Sequence, residues 1–473
     1  MAQRHGPKAV RSLVPHETRR VTEETKGETR RGVAGHYDAM GMQEGGLRAS
    51  DVFGVAREVP LNYVTRKSVD DELVDALTRD KHIVIHGSSK QGKTSLRKYN
   101  LGDDEYIVVS CQRAWTLGQL HAAILKSIGF SVEVSNTMTI SGSRKITANF
   151  AARVVGKLFG MGGDASVGVT GEAQKGRQEQ VVSESLEMDP DDPNDIIKAL
   201  RAVGFSGYIV LEDFHYLSLE TQESFAIALK TFHESSKHIF LVVGVWLDEN
   251  RLVQHNGDLT GRVSTVNADK WSRHELRQVV RAGEKLLNIS FDDLFVEQLI
   301  GACFDSVWVV QEACYQACVA AGVLVAQEVQ LTGVAAGVDV DEHIAAVVQG
   351  QSARYNGFLE HFPEGFQATK LDMYRWLLYP VITTPTSQLE RGLHFSTLKS
   401  VIGSQHPGAF YDMSLRNALS RVSDLQTEKK IKPPILDYDG SSRKLTIVDR
   451  SFLIWLEHQD VDDLKESLGF TDA

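Results

Sequence analysis

The stretch G-S-S-K-Q-G-K-T, from Gly87 to Thr94, has the spacing G-x-x-x-x-G-K-[ST]. It follows the apolar run "HIVIH" and precedes a segment of helical character. Glycines let backbone N–H groups close around phosphate oxygens, and a helix that starts there adds its positive end. In this pattern the lysine reaches the outer phosphates and the Ser/Thr hydroxyl binds Mg²⁺. The stretch therefore predicts a P-loop that binds a nucleotide, and an ordinary Gly/Ser turn is the weaker alternative.

The predicted phosphate-binding residues are the loop and the residue after it: Gly87, Ser88, Ser89, Lys90, Gln91, Gly92, Lys93, Thr94 and Ser95. Lys93 is expected at the outer phosphates and Thr94 at Mg²⁺, while Ser95 adds a contact to the α-phosphate. ATP and Mg²⁺ are the cofactors that this assignment implies.

A second stretch, "YIVLEDFH", places Glu212 and Asp213 at the end of a buried strand. Mg²⁺-dependent phosphoryl transfer needs a carboxylate near the metal and often a second one that orients water. Asp usually precedes Glu in such pairs, and the order here is reversed. The sequence therefore does not divide the metal and water roles between them. A solvated acidic strand end is the alternative, and His215 is interpreted as structural.

Five apolar runs alternate with amphipathic segments and predict a parallel sheet with helices on both faces. These runs are 82–87, 106–111, 208–213, 239–246 and 263–268. Residues 131–190 interrupt the pattern and are predicted to be an insertion. Within it, "SVEVSNTMTISG" alternates like an exposed strand, "ITANFAARVVGKLFG" is predicted to be a cationic amphipathic helix, and residues 160–180 resemble a mobile loop. That helix is expected to dock on its own domain, with membrane contact as the alternative.

With both motifs in view, residues 52 to 325 resemble the AAA+ and STAND class of P-loop ATPases, near the replication-initiator branch. "NYVTRKSVDDEL" is similar to the segment that lies over adenine in that class, which implies a nucleotide contact for Arg66. Arg262 stands where the class presents an arginine to the neighbouring subunit's nucleotide, so the resemblance implies a catalytic role in trans. A helix-capping surface arginine is the alternative.

Two features depart from the resembled class. The fourth strand ends in Gly244 and Val245 instead of a polar sensor residue, and "FDSVWVVQEAC" lacks the arginine of a second sensor. Slow or tightly gated hydrolysis is therefore expected.

The C-terminal segment predicts a winged helix. Three helical stretches, the third being 412–429, precede two short strands around a D-G turn. Leu415, Leu419, Val422 and Leu425 share one face of the third helix, and Arg443 and Lys444 lie in the wing. The opposite face of the third helix is polar and fits a DNA major groove. Winged helices also contact proteins, and the sequence leaves both possibilities open.

The whole chain has 473 residues, 42% hydrophobic and 24% charged residues, and a net charge of −11, which gives no basic field of the kind that coats nucleic acid. The predicted organisation is a flexible tail (1–48), an α/β ATPase domain (49–270), a helical lid (271–365) and a winged helix (366–473). We expect a cytoplasmic protein, without membrane contact, that assembles with copies of itself when ATP is bound.

Three functions follow from this organisation. The first is an ATP-dependent molecular switch that acts on nucleic acid, in replication, regulation or phage defence. The second is a signalling or scaffold ATPase whose winged helix contacts a protein effector. A small-molecule kinase is the third and is disfavoured, because no substrate domain is evident.

Overall fold

The computed structural model describes residues 46–54, 58–138, 144–151 and 183–470. All of these residues belong to one compact unit, Met42–Ala473. The predicted flexible tail, except residues 46–48, lies outside the described residues, as does the predicted mobile loop at 160–180.

The core of the fold is a five-stranded sheet whose neighbouring strands all run parallel. Its strands are β1 (His82–His86), β2 (Tyr106–Ser110), β6 (Tyr208–Glu212), β7 (Phe240–Val243) and β8 (Val263–Asn267). They lie in the order β2-β6-β7-β1-β8, so the P-loop strand has a neighbour on each side. The α/β fold expected from the sequence, a parallel sheet that carries a P-loop, is confirmed.

Helices pack on both faces of this sheet because alternate strand residues point to opposite faces. Ile83 and Ile85 pack in one buried apolar cluster, and Val84 packs in another. The helices are α2 (Lys67–Leu77), α3 (Lys93–Asn100), α4 (Leu117–Ser127), α5 (Pro193–Ala202), α6 (Leu219–Ser235) and α7 (Arg251–His255). Side-chain caps fix several starts; the Thr116 hydroxyl, for example, accepts from the Gln119 amide before α4.

The insertion forms an antiparallel three-stranded sheet in the order β3-β4-β5. Its strands are β3 (Ser131–Met138), β4 (Arg144–Ala151) and β5 (Ser183–Met188). The strand predicted from residue 131 is confirmed as far as Met138. The amphipathic helix predicted from residue 146 is wrong for residues 146–151, which form a strand: all six pair with β5, and residues 146–149 also pair with β3. The rest of that predicted helix lies outside the described residues.

The segment after the sheet is mainly helical, as predicted, but it also contains two short parallel strands, β9 (Ile289–Phe291) and β10 (Leu331–Val334). Its helices are α8 (Arg273–Leu287), α9 (Asp293–Ala302), α10 (Val307–Ala320), α11 (Val340–Gln349) and α12 (Ser352–His361). The first helix, α1 (Ala49–Phe53), packs here instead of on the sheet. The Phe53 ring lies so close to Gly283 that a Cβ there would come within 2.1 Å of it.

The C-terminal segment has the order of elements expected of a winged helix. Its helices are α13 (Met373–Thr383), α14 (Thr386–Leu389), α15 (Phe395–Gln405), α16 (Asp412–Ser420), α17 (Val422–Glu428), α18 (Arg450–Glu457) and α19 (Val461–Ser467). Short β11 (Leu393–His394) pairs with β13 (Lys444–Ile447) of the hairpin, whose other strand is β12 (Leu436–Asp439). The predicted third helix is divided at Arg421 into α16 and α17. Its four predicted apolar residues are all buried.

One apolar cluster joins α1 and residues 271–470, here called the helical body. The described part of residues 67–270, here called the sheet body, has its own two clusters. Among the described residues, no buried apolar cluster contains members of both bodies. The predicted lid and winged helix therefore share a core, whereas the sheet body is separate. Within the same described ranges, no helix has the length and apolar character required to span a membrane.

Candidate nucleotide site

The carboxyl ends of the parallel strands bring the predicted motifs to one edge of the sheet. The P-loop follows β1, Glu212 ends β6 and Asp213 comes directly after it, and Val245 follows β7. Asp269 follows β8 at the same edge. Ligands of open α/β sheets bind at this edge, because the strand-to-helix loops meet there.

The P-loop has the backbone conformation that its glycines permit. Gly92 has a φ of 78° and directly precedes α3, where the Leu96 amide donates to its carbonyl at 2.8 Å. Gly87 has a φ of 145°, and a Cβ there would come within 2.9 Å of the Asp269 carboxylate. Lys90 also lies in the left-handed region, with a φ of 62°. The loop therefore wraps the start of α3 as a phosphate cradle requires.

The Lys93 side chain points back to the P-loop. Its Nζ donates to the carbonyls of Gly87 at 3.0 Å and Ser88 at 2.6 Å. Burial lowers the pKa of Lys93 to about 8, although Asp269, Glu212 and Asp213 act in the opposite direction. A phosphate offers this buried cation a charged acceptor that the two carbonyls do not provide.

The two candidate acids have different environments. Glu212 forms an ion pair with Arg97 of α3, with an Nε–Oε1 distance of 3.1 Å. Burial raises the pKa of Glu212, and Arg97 opposes that shift. The Asp213 carboxylate lines the cavity beside the P-loop and has no hydrogen bond or ion pair within the described part of the chain. Burial raises its pKa, while Lys93 and Lys432 lower it. Asp213 is therefore the acid with open coordination capacity.

The residues at this edge fit a Mg²⁺ ion bound together with nucleotide phosphates. The Thr94 hydroxyl and the Asp213 carboxylate line the same cavity and supply oxygen ligands, which Mg²⁺ prefers. Within the described ranges, no group of three or more His, Cys, Asp or Glu could hold a metal alone.

The packing at the end of β7 explains why no polar side chain occupies the sensor position there. A Cβ on Gly244 would lie 1.5 Å from the buried Trp246 ring. The next amide, that of Val245, donates to His215 Nδ1 at 3.2 Å, so Nε2 carries the proton of the neutral ring. Nε2 is buried, and no described residue accepts from it. His215 also lines the cavity, so its Nε2–H is a candidate donor to a bound ligand. The sequence interpretation gave this residue a structural role only.

The cavity has a volume of about 510 Å³ and continues from the P-loop into the helical body. Its lining is mostly apolar and includes Pro60, Val64, Trp271, Val279, Val307 and Trp308. The amides of Asn62 and Gln311 also lie there and bond to each other at 2.8 and 2.9 Å. Arg66, predicted to contact nucleotide, lines the cavity but is 1% exposed; it stacks on the Trp271 ring at 4.1 Å and donates to the Ala268 carbonyl. An apolar compartment next to a P-loop suits a base.

The C-terminal segment bonds directly to the P-loop. The Ser89 amide donates to the Val448 carbonyl at 2.8 Å. Asp269 accepts from the Ser88 amide at 2.7 Å and from the Ser88 hydroxyl at 2.6 Å, and its carboxylate also pairs with Arg450 at 3.3 Å. Sequence reasoning missed these contacts because nothing local to Val448 or Arg450 points to a partner so distant in the chain.

Two further contacts bring the helical body over the site. Lys432 lies over the Tyr216 ring at 4.2 Å, and Pro433 lines the cavity. Lys90 lies over the Trp308 ring of α10 at 3.8 Å, and its Nζ has no hydrogen-bond acceptor within the described residues. Burial and the nearby Arg354 lower the pKa of Lys90 to about 8. The P-loop thus contacts both the mainly helical segment and the C-terminal segment.

Arg262 lies at the opposite edge of the sheet from the P-loop. Its carbonyl accepts from the His82 amide at the start of β1, and the loop follows the end of that strand, about 13 Å farther at 3.3 Å per residue. Its guanidinium pairs with Glu234 at 2.9 Å and donates to the Asp258 carbonyl. The structure does not bring Arg262 to its own chain's site, so its catalytic role in trans stays a prediction.

Part of the predicted DNA-reading helix faces the sheet body. Ser423 and Asp424 of α17 line a cavity of about 90 Å³ together with Asp248 and Arg251 of the sheet body. Arg251 also pairs with Asp437 of the hairpin at 2.9 Å. At the other end of the predicted helix the side chains are exposed; these include Tyr411 at 83% and Met413 at 63%.

No protein-family model matches this sequence, and no curated protein sequence matches it. Among solved structures, the chain is similar to the Walker-type ATPase PABY2304 of Pyrococcus abyssi, at 10% identity and a TM-score of 0.49, covering 84% of this chain and 99% of that one. It is also similar to the Aeropyrum pernix ORC1 protein in complex with DNA, at 11% identity, a TM-score of 0.38 and coverage of 87% and 96%. CDC6P from Pyrobaculum aerophilum overlaps at 11% identity, a TM-score of 0.39 and coverage of 89% and 98%. At these TM-scores the similarities carry no conclusion about function, and the fold assignment depends on the sheet and P-loop described above.

Proposed function

We propose that this chain is an ATP-dependent switch in which the nucleotide controls the position of the helical body on the sheet body. The observation that carries the proposal is the Ser89–Val448 hydrogen bond, through which a P-loop amide is bound by the C-terminal segment. Phosphate binding recruits P-loop amides and Lys93, so the nucleotide competes with contacts that hold the two bodies together. Polar interfaces between bodies with separate cores permit such movement.

In this proposal, Lys93 binds the outer phosphates and Thr94 supports Mg²⁺, which neutralises charge on the phosphates when bound. Asp213 holds the metal shell or orients the attacking water, and Glu212 pairs with Arg97 and so holds α3 against β6. The His215 Nε2–H donates to a phosphate oxygen or to that water, in place of the sensor residue that Gly244 excludes. These roles together support slow ATP hydrolysis.

The first test is equilibrium binding of Mg-ATP to the full chain and to Lys93→Ala. We expect micromolar binding by the wild type, a typical range for such sites, and at least about a hundredfold loss in the variant, because a charge-assisted contact to phosphate disappears. Lys126→Ala, which removes an exposed lysine from α4, is the matched control. Equal affinity in all three proteins would refute the P-loop assignment.

Action on nucleic acid through the C-terminal segment is part of the proposal. The exposed Tyr411 and Met413 at the start of α16, and the exposed Arg443 in the hairpin, support it. A protein effector is the alternative partner, and the packing of α17 toward the sheet body favours it while the bodies are docked. Binding to duplex DNA that increases with ATP and weakens steeply with salt would support the nucleic-acid partner. Nucleotide-driven self-assembly without DNA affinity would support the protein partner.

A further inference from the structure

A small cavity between the two bodies contains more acidic than basic side chains. Its lining includes Asp248 and Arg251 from the sheet body and Asp424, Asp437 and Asp439 from the helical body. We call it the acidic cavity. Its volume is about 90 Å³, which leaves space for only a few water molecules between the two bodies. One guanidinium therefore stands against four carboxyl groups at this contact.

The guanidinium is already paired, and it does not reach every acid. Arg251 pairs with Asp437 at 2.9 Å. Asp248 accepts from the Asn250 amide at 2.8 Å, and Asp439 accepts from the turn of its own hairpin. Neither Asp248 nor Asp439 forms an ion pair within the described part of the chain. When Asp248 is charged, it therefore faces two acids of the other body as like charges.

The other charged and titratable groups around the acidic cavity do not reverse this balance. Burial lowers the pKa of His255 on α7 to about 4, so its ring is neutral above pH 5 although Glu223 of α6 lies 4.0 Å away. Burial raises the pKa of Asp424 on α17, while Arg421 and Arg251 oppose that shift. A proton on Asp424 therefore acts in the same direction as one on Asp248.

A buried acceptor in the same cavity lacks a donor. Gln222 is 3% exposed, and its Nε2 donates to the Leu217 carbonyl at 2.8 Å, which fixes Oε1 as the free end of the amide. No described residue donates to that oxygen. A carboxyl group that holds a proton can donate an O–H, whereas a carboxylate only accepts. The lining of the acidic cavity thus suits a protonated acid better than a charged one.

We propose that the acidic cavity is a proton-sensitive contact, which holds the helical body on the sheet body when Asp248 is protonated and weakens when Asp248 is charged. The inference rests on the two-body arrangement of the proposed function. It adds a second regulator of that arrangement, the proton, which acts at a site separate from the P-loop.

The sign and size of the effect follow from the surroundings of Asp248. Burial raises the pKa of Asp248 from its ordinary value of 3.8 to about 6, and Asp439 and Asp437 act in the same direction. Separation of the bodies exposes Asp248 to water and removes both hairpin acids, so its pKa returns toward the ordinary value. The docked form therefore keeps a proton that the separated form releases between about pH 4 and 6, and docking weakens as the pH rises through 6. Two pKa units correspond to about a hundredfold change, which we reduce to about tenfold because Asp248 is only half-buried.

The test is amide hydrogen exchange of Ser89 in the nucleotide-free full chain at pH 5 and pH 7.5, corrected for the intrinsic exchange rate at each pH. The Ser89 amide donates to the Val448 carbonyl, so its protection reports how often the two bodies separate. We expect about tenfold higher protection at pH 5 than at pH 7.5 in the wild type. In Asp248→Asn, which carries no charge at either pH, protection at pH 7.5 should rise and the difference should be at least about threefold smaller.

Asp104→Asn is the matched control, because it removes an exposed acid of the sheet body outside the cavity lining. It should keep the wild-type difference, since the groups near the P-loop titrate equally in all three proteins. Equal protection at the two pH values in the wild type, or a folded Asp248→Asn variant that keeps the wild-type difference, would overturn the inference. If Asp248→Asn does not fold, Asp439→Asn removes a facing charge from the hairpin and should also reduce the difference.

A titration with Mg-ATP at pH 7.5 separates this inference from the proposed function. Asp248→Asn should bind ATP more weakly than the wild type, because its bodies stay docked more often. A variant that shows the expected change in protection but binds Mg-ATP with wild-type affinity would support the proton-sensitive contact and refute the competition between docking and nucleotide.

Discussion

Removing the Arg450 guanidinium should strengthen the binding of ATP. Arg450 pairs with Asp269 at 3.3 Å and Glu390 at 3.4 Å, and it donates to the Phe304 carbonyl at 3.2 Å. Asp269 in turn holds the amide and hydroxyl of Ser88. Arg450 therefore stabilises the arrangement in which the C-terminal segment is docked on the P-loop.

The size of the effect follows from these contacts. A hydrogen bond to a charged group contributes about 1.5–3 kcal/mol, which we reduce to about 1–2 kcal/mol because the Arg450 side chain is 15% exposed. If docking competes with phosphate binding, Arg450→Ala shifts the equilibrium between the docked and undocked forms by the same free energy, toward the undocked form that binds ATP. At 1.4 kcal/mol per tenfold change, the apparent Kd for ATP should fall about 5–30-fold.

Isothermal titration of Mg-ATP into wild type, Arg450→Ala and Arg391→Ala measures this directly. Arg391 is exposed in the same segment, so its removal changes the net charge equally without touching the P-loop contacts. An affinity for ATP in Arg450→Ala that equals or falls below that of the wild type, in a variant that melts as a folded protein, would refute the competition.

Three other predictions concern the acids and the sheet edge. Asp213→Asn should slow ATP hydrolysis at least about a hundredfold while keeping ATP binding, and Glu212→Gln should slow it less, because Arg97 already neutralises that residue; equal rate losses in a turnover assay would contradict the division of roles. Arg262→Ala should bind ATP normally but hydrolyse it poorly, and mixing it with Lys93→Ala should raise the rate above the weighted mean of the two variants, whereas co-assembled mixtures that stay at the mean would exclude action in trans. Burial raises the pKa of Asp248 to about 6. Between about pH 4 and 6 the folded state therefore keeps a proton that the unfolded state has already released. The free energy of unfolding falls as the pH rises through that window. Asp248→Asn should therefore raise the free energy of unfolding at pH 7 by about 1 kcal/mol after allowance for its partial exposure, with a smaller gain at pH 4 in urea titrations.

The parallel sheet and the candidate phosphate site could be predicted because their signals are local. Five apolar strands alternate with helices, and the carboxyl ends of parallel strands meet at one edge. Lys93, Thr94 and Asp213 therefore had to lie near one another once the strands were recognised. The start of α3 at Lys93 also follows from Gly92, whose left-handed backbone directly precedes the helix.

Contacts between distant parts of the chain could not be predicted in this way. Val448 reaches the P-loop, and Arg450 reaches Asp269 beside it, only because the helical body docks on the sheet body. His215 became a candidate donor because Trp246 fills the space beside Gly244 and the Val245 amide binds the Nδ1 side of the imidazole.

The helix was wrongly predicted at residues 146–151 because the local sequence does not show which strands these residues pair with. Its apolar residues matched a helical period over a short span, but pairing with β3 and β5 decided the structure.

The distance between the two bodies tests the central claim most directly. The described structure has four cysteines, all buried, so single cysteines placed at the exposed positions Lys237 in the sheet body and Ser404 in the C-terminal segment can carry spin labels. Pulsed electron–electron double resonance should give one distance distribution without nucleotide and a shifted one with Mg-ATP. The shift should be absent in Lys93→Ala. A distribution that Mg-ATP leaves unchanged, in a labelled protein shown to bind ATP, would contradict the proposal that the nucleotide controls the position of the helical body.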